Sequence, residues 1–347
     1  MDRINTLVFG AGAIGTYIGG SLGLAGNRVM FVEQPTAVDE LCRRGLRLDL
    51  TINRNSVRII QDPSVNFAAS LEQALKSGPF DIGIFALKSF DTAAALEGMK
   101  TFADQIPTLL CLSNGVDNEP AIESVLGPDR VIAGTVTSSV GRRAVGDIVL
   151  ERVRGLGVAD GHPLSLFLAE ALNNAGLYTR LFRRAADMKW SKMLTNLPAN
   201  ASAAILNMSA VEVFDLPALF RLEMRMLREA VAVMHALGVH VVDLPGVPVR
   251  ALMLGTKLPG FLAHPLMKKA VGGGRGGKMP SFHIDLYSGR GKSEVEWLNG
   301  AIARYGHEAG IKTPVNKALT DTLLALTHGD ISLETFASQP EKLLALL

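Results

Sequence analysis

The stretch TLVFGAGAIG, residues 6–15, decides the fold of this chain. It begins with a short apolar run and ends in a glycine-rich turn, after which residues 17–25 can continue as a helix. The order of strand, glycine turn and helix is typical of the start of a Rossmann-type dinucleotide-binding domain. We therefore predict that the turn binds a dinucleotide through six residues: Gly10, Ala11, Gly12, Ala13, Ile14 and Gly15.

Each glycine of the turn has its own purpose. Gly10 permits the tight turn, Gly12 lets backbone N–H groups approach a pyrophosphate, and Gly15 lets the helix pack closely on the strand. The N-terminus of the helix attracts the phosphates. The alternative is that the three glycines serve only a tight connection between strand and helix.

The next apolar strand, residues 28–32, ends at an acidic residue. Glu33 follows Gly15 by eighteen residues, a spacing that suits a hydrogen bond to the ribose of a dinucleotide. A carboxylate in this place accepts a hydrogen bond from the 2′-hydroxyl of NADH and repels the 2′-phosphate of NADPH. The local chemistry therefore favours NADH.

Two further apolar runs, residues 81–87 and 108–112, predict additional parallel strands. Polar residues follow each run, Lys88 after the first and Asn114 after the second. Because ligands of open α/β sheets bind outside the carboxyl ends of the strands, we expect both residues beside the cofactor. The alternatives are a solvated lysine at a strand end and an ordinary Asn-Gly turn.

Composition favours a two-domain protein that acts on a small molecule. A length of 347 residues suits two domains, and the 35 basic residues nearly balance the 33 acidic ones. A chain with so small a net charge lacks the strong positive electrostatic field that binds nucleic acid or an acidic membrane. Two cysteines, Cys42 and Cys111, cannot build a disulfide framework, so a cytoplasmic location is expected. The histidines show no metal-ligand spacing, and no metal is expected.

The chain is expected to alternate strands and helices over residues 1–185 and to be helical over residues 186–347. Residues 131–158 read as an antiparallel section, and a short strand is expected near residues 177–182. Hydrophobic periodicity predicts helices at Met188–Leu206, Pro217–Leu237, Ser293–Ala309 and Val315–Leu326. A long loop region is expected over Asp243–Phe282, where the glycine-rich stretch Met267–Met279 is interpreted as a flexible solvated loop, with a lid or a phosphate-contacting loop as alternatives.

The sequence resembles the ketopantoate reductases (2-dehydropantoate 2-reductases) over nearly its whole length. The resemblance rests on GAGAIG at residues 10–15, ALKSF around Lys88, LSNGVDN around Asn114, MKWSKMLTN at residues 188–196 followed by Asn200, and the set Ser281, Asp285, Glu294 and Asn299-Gly300. It implies an α/β fold in which an N-terminal Rossmann-type dinucleotide-binding domain precedes an all-helical C-terminal domain. It also implies an active site in the cleft between the two domains.

The implied reaction is the reduction of the ketone of an α-keto acid by hydride from NAD(P)H. The first candidate substrate is 2-dehydropantoate, which gives (R)-pantoate. Lys192 is the implied general acid, since an ammonium stabilises the charge that develops on the carbonyl oxygen and delivers a proton. Neutral hydrogen bonds to the substrate are expected from Asn114, Asn196, Asn200 and Ser281.

The predicted helix over Met188–Leu206 gives these residues a geometric basis. Lys192, Asn196 and Asn200 are spaced at i, i+4 and i+8, so a continuous helix aligns them in one polar stripe. The alternative is a solvated helix face. Pro198 lies within the stripe and weakens the expectation for Asn200.

Glu294 is the second catalytic candidate. Ser293 and Glu296 fit a capping box, which starts a helix at Glu294. The carboxylate would orient a substrate hydroxyl or hold Lys192, or it would only complement the helix dipole. The spacing from Asp285 to Glu294 is one residue longer than is usual in the family, and Ser293 replaces its usual threonine.

The resemblance and the local chemistry differ on the cofactor. In the family an arginine commonly follows the second strand and pairs with the 2′-phosphate of NADPH, whereas Gln34 stands there in this chain. The resemblance implies NADP(H), and Glu33 makes NAD(H) an alternative. Arg43 and Arg44, on the next predicted helix, would serve NADPH if they turned toward the phosphate.

Three other functions stay open at this point. The first is a related reductase for a different α-keto acid. The second is another two-domain dehydrogenase, acting on a 3-hydroxy acid, an opine or glycerol phosphate. The third is a catalytically silent dinucleotide sensor, which would not need the set of Lys192, Asn196 and Glu294. A homodimer is an expected assembly.

Overall fold

The glycine turn joins a strand to a helix as the sequence predicts. Strand β1 (Asn5–Phe9) leads through the turn into helix α1 (Ala13–Leu24). A Cβ atom added to Gly15 would lie 1.9 Å from the carbonyl oxygen of Gly10, so the helix packs directly against the turn. Gly10 has a positive φ of 89°, which only glycine adopts readily.

In this computed structural model the chain is described over residues 3–53, 56–275 and 279–347. The strands in the described residues are β1, β2 (Arg28–Val32), β3 (Leu46–Asp49), β4 (Val57–Ile60), β5 (Val65–Ala68), β6 (Ile82–Phe85), β7 (Leu109–Cys111), β8 (Val131–Val136), β9 (Ser139–Ala144), β10 (Asp147–Arg152), β11 (Leu156–Ala159) and β12 (Thr179–Phe182).

The α-helices in the same residues are α1, α2 (Pro35–Arg44), α3 (Leu71–Leu75), α4 (Thr92–Met99), α5 (Asn118–Leu126), α6 (Ser165–Asn174), α7 (Ala185–Asn196), α8 (Ala201–Leu206), α9 (Ala210–Asp215), α10 (Pro217–Ala236), α11 (Val249–Gly255), α12 (Gly260–Arg275), α13 (Ser281–Tyr287), α14 (Asn299–Glu308), α15 (Pro314–His328) and α16 (Pro340–Leu344). Short 3₁₀ helices cover Thr51–Asn53, Ser89–Asp91, Lys100–Gln105, Glu294–Trp297 and Leu333–Thr335.

The chain divides into two compact units. The first comprises Met1–Ser113, Asp117–Lys189 and Leu244–Val247. The second comprises Asn114–Val116, Trp190–Asp243 and Pro248–Leu347. Within the described ranges, no helix combines the length and apolar character that a membrane crossing needs.

The first unit is built on an eight-stranded sheet in the order β12-β11-β8-β7-β6-β1-β2-β5. Six strands that are consecutive in this sheet run parallel to one another: β8, β7, β6, β1, β2 and β5. Strand β11 is antiparallel to β8. Strand order reverses at β1, with β2 on one side and β6 on the other, and such a switch point is where open α/β sheets bind ligands. Side chains of β1 alternate between two apolar cores, since Val8 joins one and Leu7 and Phe9 join the other.

A smaller sheet in the order β4-β3-β10-β9 covers α1. Strand β10 pairs antiparallel with β9, as expected for residues 131–158, and pairs in parallel with β3 from much earlier in the chain. Leu48 of β3 lies so close to α1 that a Cβ on Gly20 would come within 2.8 Å of its Cδ2. The glycines of α1 therefore allow contact on two sides, with the main sheet and with the small one.

The second unit is helical, as predicted. Helices α10 and α15 match the predicted segments Pro217–Leu237 and Val315–Leu326 closely. The prediction of one helix over Met188–Leu206 was wrong, because α7 ends at Asn196 and α8 begins at Ala201. Pro198 has no N–H to donate, and Ala199 adopts a positive φ of 48°.

Two further predictions about this unit are corrected. The segment Ser293–Ala309 is a 3₁₀ turn followed by α14, and Ser293 Oγ accepts a hydrogen bond from the N–H of Val295 instead of that of Glu296. The expected loop over Asp243–Phe282 contains α11 and α12, whose pattern is interrupted by glycine and proline. Part of the glycine-rich stretch Met267–Met279 thus belongs to α12, while residues 276–278 lie outside the described residues.

Candidate active site

The glycine turn leaves backbone donors open to an anion. Gly12 is the N-cap of α1, and no side chain caps the helix there. The N–H groups of a first helical turn have no acceptor within the helix, and the helix dipole adds positive potential. A Cβ added to Gly12 would meet nothing within 4 Å, so space lies in front of these donors. The turn therefore fits the pyrophosphate of a dinucleotide.

Glu33 lies directly against this turn. Its Oε2 accepts a hydrogen bond of 2.7 Å from the N–H of Ala11, and its Oε1 accepts one of 2.9 Å from the N–H of Gln34. The carbonyl of Ala11 in turn accepts the N–H of Gly146 at 2.9 Å. The structure thus brings together the carboxylate at the end of β2 and the turn at the end of β1, while the expected contact of Glu33 with a ribose stays a prediction.

The two arginines considered for a 2′-phosphate lie at the far end of α2. Gln34 is the N-cap of this helix, and Arg43 and Arg44 occupy its last turn. Arg44 donates to Glu40 Oε1 at 2.8 Å and to the carbonyl of Val145. A helix of ten residues is about 15 Å long, so these guanidinium groups start well away from the end of β2.

Lys88 and the residues before Asn114 lie at the carboxyl ends of neighbouring strands. Lys88 is the half-buried N-cap of the 3₁₀ helix Ser89–Asp91, which follows β6. Ser113, which follows β7, donates its hydroxyl to the carbonyl of Leu87 at 2.7 Å. This bond holds the ends of β6 and β7 together.

Within the second unit, α7 presents Lys192 and Asn196 on one face. The Nδ2 of Asn196 donates to Asn114 Oδ1 at 3.0 Å. Lys192 is partly exposed, whereas Met193 and Leu194 between the two polar residues are buried. One polar group therefore contains Lys192, Asn196 one helical turn further on, and the side-chain amide of Asn114.

Asn200 belongs to a second pair because of the break between α7 and α8. Its Nδ2 donates to Ser281 Oγ at 3.2 Å, and its Oδ1 accepts the N–H of Phe282 at 3.0 Å. Asn200 is 3% exposed. The predicted continuous stripe of Lys192, Asn196 and Asn200 was therefore wrong, although Asn200 and Ser281 do meet as two members of the expected substrate set.

Glu294 begins the 3₁₀ helix that precedes α14. Ser293 caps this helix with a hydrogen bond of 3.2 Å to the N–H of Val295. The side chain of Glu294 is almost fully buried, so it is not a solvated residue at a helix end. Among the described residues, no three His, Cys, Asp or Glu side chains cluster in a way that could hold a metal ion.

Sequence reasoning missed a second lysine of α7. Lys189 is 5% exposed, and its Nζ lies 2.7 Å from Glu119 Oε1 and donates to the carbonyl of Ser113 at 2.7 Å. Burial has the largest single effect on the pKa of Lys189 and lowers it, but the effects that raise the pKa, chiefly from the Glu119 carboxylate, together exceed it, so the pKa is above the ordinary lysine value. The ion pair thus fixes the residue before Asn114. The indication in the sequence was the position of Lys189 between the apolar residues Met188 and Trp190.

Comparison with known proteins points to one family. The family described as "Ketopantoate reductase PanE/ApbA" matches residues 6–158, and its C-terminal counterpart matches residues 184–327. The 2-dehydropantoate 2-reductase of Halobacterium salinarum is 26% identical over 94% of this chain and 100% of its own length. That of Archaeoglobus fulgidus is also 26% identical, over 93% of this chain and 97% of its own.

Two solved structures share the fold. A PanE/ApbA family ketopantoate reductase from Ralstonia eutropha superposes with a TM-score of 0.77 at 23% identity, covering 93% of this chain and 99% of that one. A D-mandelate dehydrogenase bound to NADH and anilino(oxo)acetate superposes with a TM-score of 0.73 at 19% identity, with the same coverage. At these identities the likeness concerns the fold alone.

Proposed function

Because this chain belongs to the ketopantoate reductase family, we propose that it reduces 2-dehydropantoate, an α-keto acid, to (R)-pantoate with a reduced nicotinamide dinucleotide. The observation that carries the proposal is the polar group on α7, where Lys192 and Asn196 share a face and Asn196 bonds to Asn114. The curated relatives that match nearly the whole chain carry this activity in their names. A cytoplasmic location and a homodimer complete the proposal.

Each residue of the proposed site has a separate role in the reaction. A reduced dinucleotide held by the turn of residues 10–15 would supply the hydride for the ketone carbon, so negative charge would develop on the carbonyl oxygen. The ammonium of Lys192 stabilises that charge and donates the proton that forms the hydroxyl. Asn114, Asn196, Asn200 and Ser281 offer hydrogen bonds to the carboxylate and hydroxyl groups of the substrate. The Glu294 carboxylate would orient the substrate hydroxyl or Lys192, and Lys88 at the end of β6 would serve the cofactor.

We further propose that the enzyme uses NADH as well as NADPH. The turn of residues 10–15 would hold the pyrophosphate, and Glu33 would accept a hydrogen bond from the ribose 2′-hydroxyl. Its contact with the N–H of Ala11 supports this placement. A 2′-phosphate would meet the same carboxylate, while Gln34 offers no charge to offset it and Arg43 and Arg44 lie in the last turn of α2.

A panel of α-keto acids, assayed with each reduced cofactor by following cofactor oxidation, tests the function. The panel includes 2-dehydropantoate and an aryl α-keto acid. We expect 2-dehydropantoate to give the highest kcat/KM. Replacement of Lys192 by Ala should lower kcat by roughly 10²–10⁴-fold, the range of a lost general acid, with little change in dinucleotide Kd. Native turnover in Lys192→Ala would contradict the assignment.

The cofactor proposal is tested by comparing kcat/KM for NADH and NADPH in the native enzyme and in two variants. Glu33→Ala should shift the preference toward NADPH by removing repulsion, and Gln34→Arg should shift it further by adding a positive partner. A native enzyme that prefers NADPH by several orders of magnitude, and that Glu33→Ala leaves unchanged, would show that Glu33 does not face the ribose.

A further inference from the structure

Helix α10 carries a carboxylate that the proposed mechanism does not use. Glu223 is fully buried, with a relative exposure of 0%. Its Oε2 accepts a hydrogen bond of 2.7 Å from the N–H of Ala199, and its Oε1 accepts one of 2.5 Å from the hydroxyl of Ser202. Burial of a carboxylate is costly, so its two acceptor contacts indicate what it does for the fold.

Both contacts lie at the break between α7 and α8. The N–H of Leu197 still bonds to the carbonyl of Met193 at 3.1 Å, but Pro198 then has no N–H to offer. Ala199 adopts a left-handed conformation, with φ at 48°, and is itself fully buried. A buried N–H without an acceptor costs about 1–3 kcal/mol, and Glu223 removes that cost at this residue.

The two residues that Glu223 holds flank Asn200. Ala199 precedes it directly, and Ser202 lies in the first turn of α8, which Asn200 caps. The amide of Asn200 is directed at Ser281 and at the N–H of Phe282. A carboxylate that fixes the backbone on both sides of Asn200 therefore also fixes where the amide points.

We propose, on the basis of the proposed function, that Glu223 is a positioning residue that orients Asn200 and Ser281 for binding of the α-keto acid. It acts through the α7–α8 break and does not touch the substrate. An apolar side chain of similar length would fill the space but would leave the N–H of Ala199 unpaired. A glutamine retains one acceptor for that N–H and presents its amide to Ser202.

The full-length enzyme provides the test, with Glu223→Met, Glu223→Gln, Asn200→Ala and the double variant Glu223→Met/Asn200→Ala. We expect Glu223→Met to raise the substrate KM by about tenfold or more, with dinucleotide Kd within about twofold of native. Glu223→Gln should stay within about threefold of the native KM. The substrate KM of the double variant should exceed that of Asn200→Ala by no more than about threefold, because the two substitutions affect the same set of contacts.

Glu229 supplies a matched control on the same helix. Its carboxylate accepts the N–H groups of Val315 and Asn316, each at 3.0 Å, at the start of α15. Glu229→Met should lower the melting temperature but leave the substrate KM near native. Amide exchange at Ala199 gives a readout without substrate: it should accelerate in Glu223→Met and stay slow in Glu223→Gln.

The outcomes separate this inference from the proposed function. A native KM in Glu223→Met, while Asn200→Ala is impaired, would overturn the role of Glu223 alone. Multiplied effects in the double variant would also overturn it, because they would show that Glu223 acts independently of Asn200. An equal rise of KM in Glu229→Met would do the same, because it would point to a general loss of stability. Native kinetics in Asn200→Ala would overturn the proposed substrate site itself. If Glu223→Met does not fold, Ser202→Ala removes one of the two contacts and should raise KM by about threefold.

Discussion

At the glycine turn, two residues three positions apart should respond in opposite ways to an added side chain. A Cβ added to Gly12 would meet no atom within 4 Å, so valine there should be tolerated by the fold but would fill the place of the pyrophosphate. We therefore expect Gly12→Val to fold and to lose dinucleotide binding. Alanine at Gly15 would place Cβ 1.9 Å from the carbonyl oxygen of Gly10, so Gly15→Ala should fold poorly. Dinucleotide titration and thermal melting of both variants distinguish these effects. Unchanged cofactor affinity in Gly12→Val would disprove the assignment of the turn.

The ion pair of Lys189 gives a second prediction at the scale of single residues. Lys189→Met leaves the Glu119 carboxylate buried without its cation, which should lower the free energy of unfolding by about 3–5 kcal/mol. The double variant Lys189→Met/Glu119→Leu should recover most of this loss. The exposed pair of Lys76 and Glu72 is the control, since Lys76→Met should cost less than about 1 kcal/mol.

Denaturant unfolding near neutral pH is the measurement. The pKa of Lys189 is raised in the folded chain, so its contribution is complete below the ordinary lysine pKa. The contribution is lost only as the pH rises through the folded value. Equal stability of Lys189→Met and the native protein would mean that the ion pair contributes nothing.

Single residues could be predicted from sequence wherever a short spacing determines the chemistry. The spacing of eighteen residues predicts a ribose contact for Glu33; the carboxylate lies against the turn at Ala11, and the ribose contact itself stays a prediction. The partner of Lys189 could not be predicted, because Glu119 is seventy residues away in sequence and comes close to it only in the folded unit. Glu223 carried no signal at all, since a glutamate on an amphipathic helix reads as a solvated residue until its burial is known.

At the scale of elements, the 3₁₀ turn before α14 separates a capping residue from a catalytic candidate. Loss of the Ser293 hydroxyl removes the hydrogen bond to Val295, so Ser293→Ala should cost about 1 kcal/mol of stability and leave kcat/KM near native. Glu294→Gln keeps the shape of the side chain and should lower kcat/KM by at least about tenfold, with a smaller effect on stability, because the buried amide carries no charge and still accepts hydrogen bonds. Melting and kinetics are measured on both variants. A large fall in melting temperature with intact kinetics in Glu294→Gln would support a capping role.

Helix and strand types were predictable for long periodic segments, and their interruptions were not. Helices α10 and α15 have a largely apolar buried face that repeats with the period of a helix. The break after α7 depends on Pro198 and on the left-handed Ala199, a conformation that no local pattern of alanine predicts. Helices α11 and α12 were missed because Gly255, Gly260 and Pro265 punctuate them, and such residues ordinarily indicate loops.

At the scale of the whole molecule, the order of the two parts could be predicted but not their interleaving. The segment Leu244–Val247 returns to the first unit, where the carbonyl of Pro245 accepts the hydroxyl of Thr137 at 2.7 Å. A proline-containing segment without periodicity gives no sign of such a contact. The division at residue 185 stays a prediction, and expression of residues 1–185 as a separate chain would test it.

The parallel pairing of β3 with β10 determines when the dinucleotide turn can form during synthesis. Strand β3 ends at Asp49, but its partner begins at Asp147, and the N–H of Gly146 beside it is the one that binds the carbonyl of Ala11. A nascent chain that has exposed only its first hundred residues therefore lacks one wall of its own glycine turn. Pairing over such a distance in sequence is slow, because the loop must close before the contact forms. The N-terminal segment that decides the fold is thus the first to leave the ribosome, yet it becomes complete only after β10 has followed it.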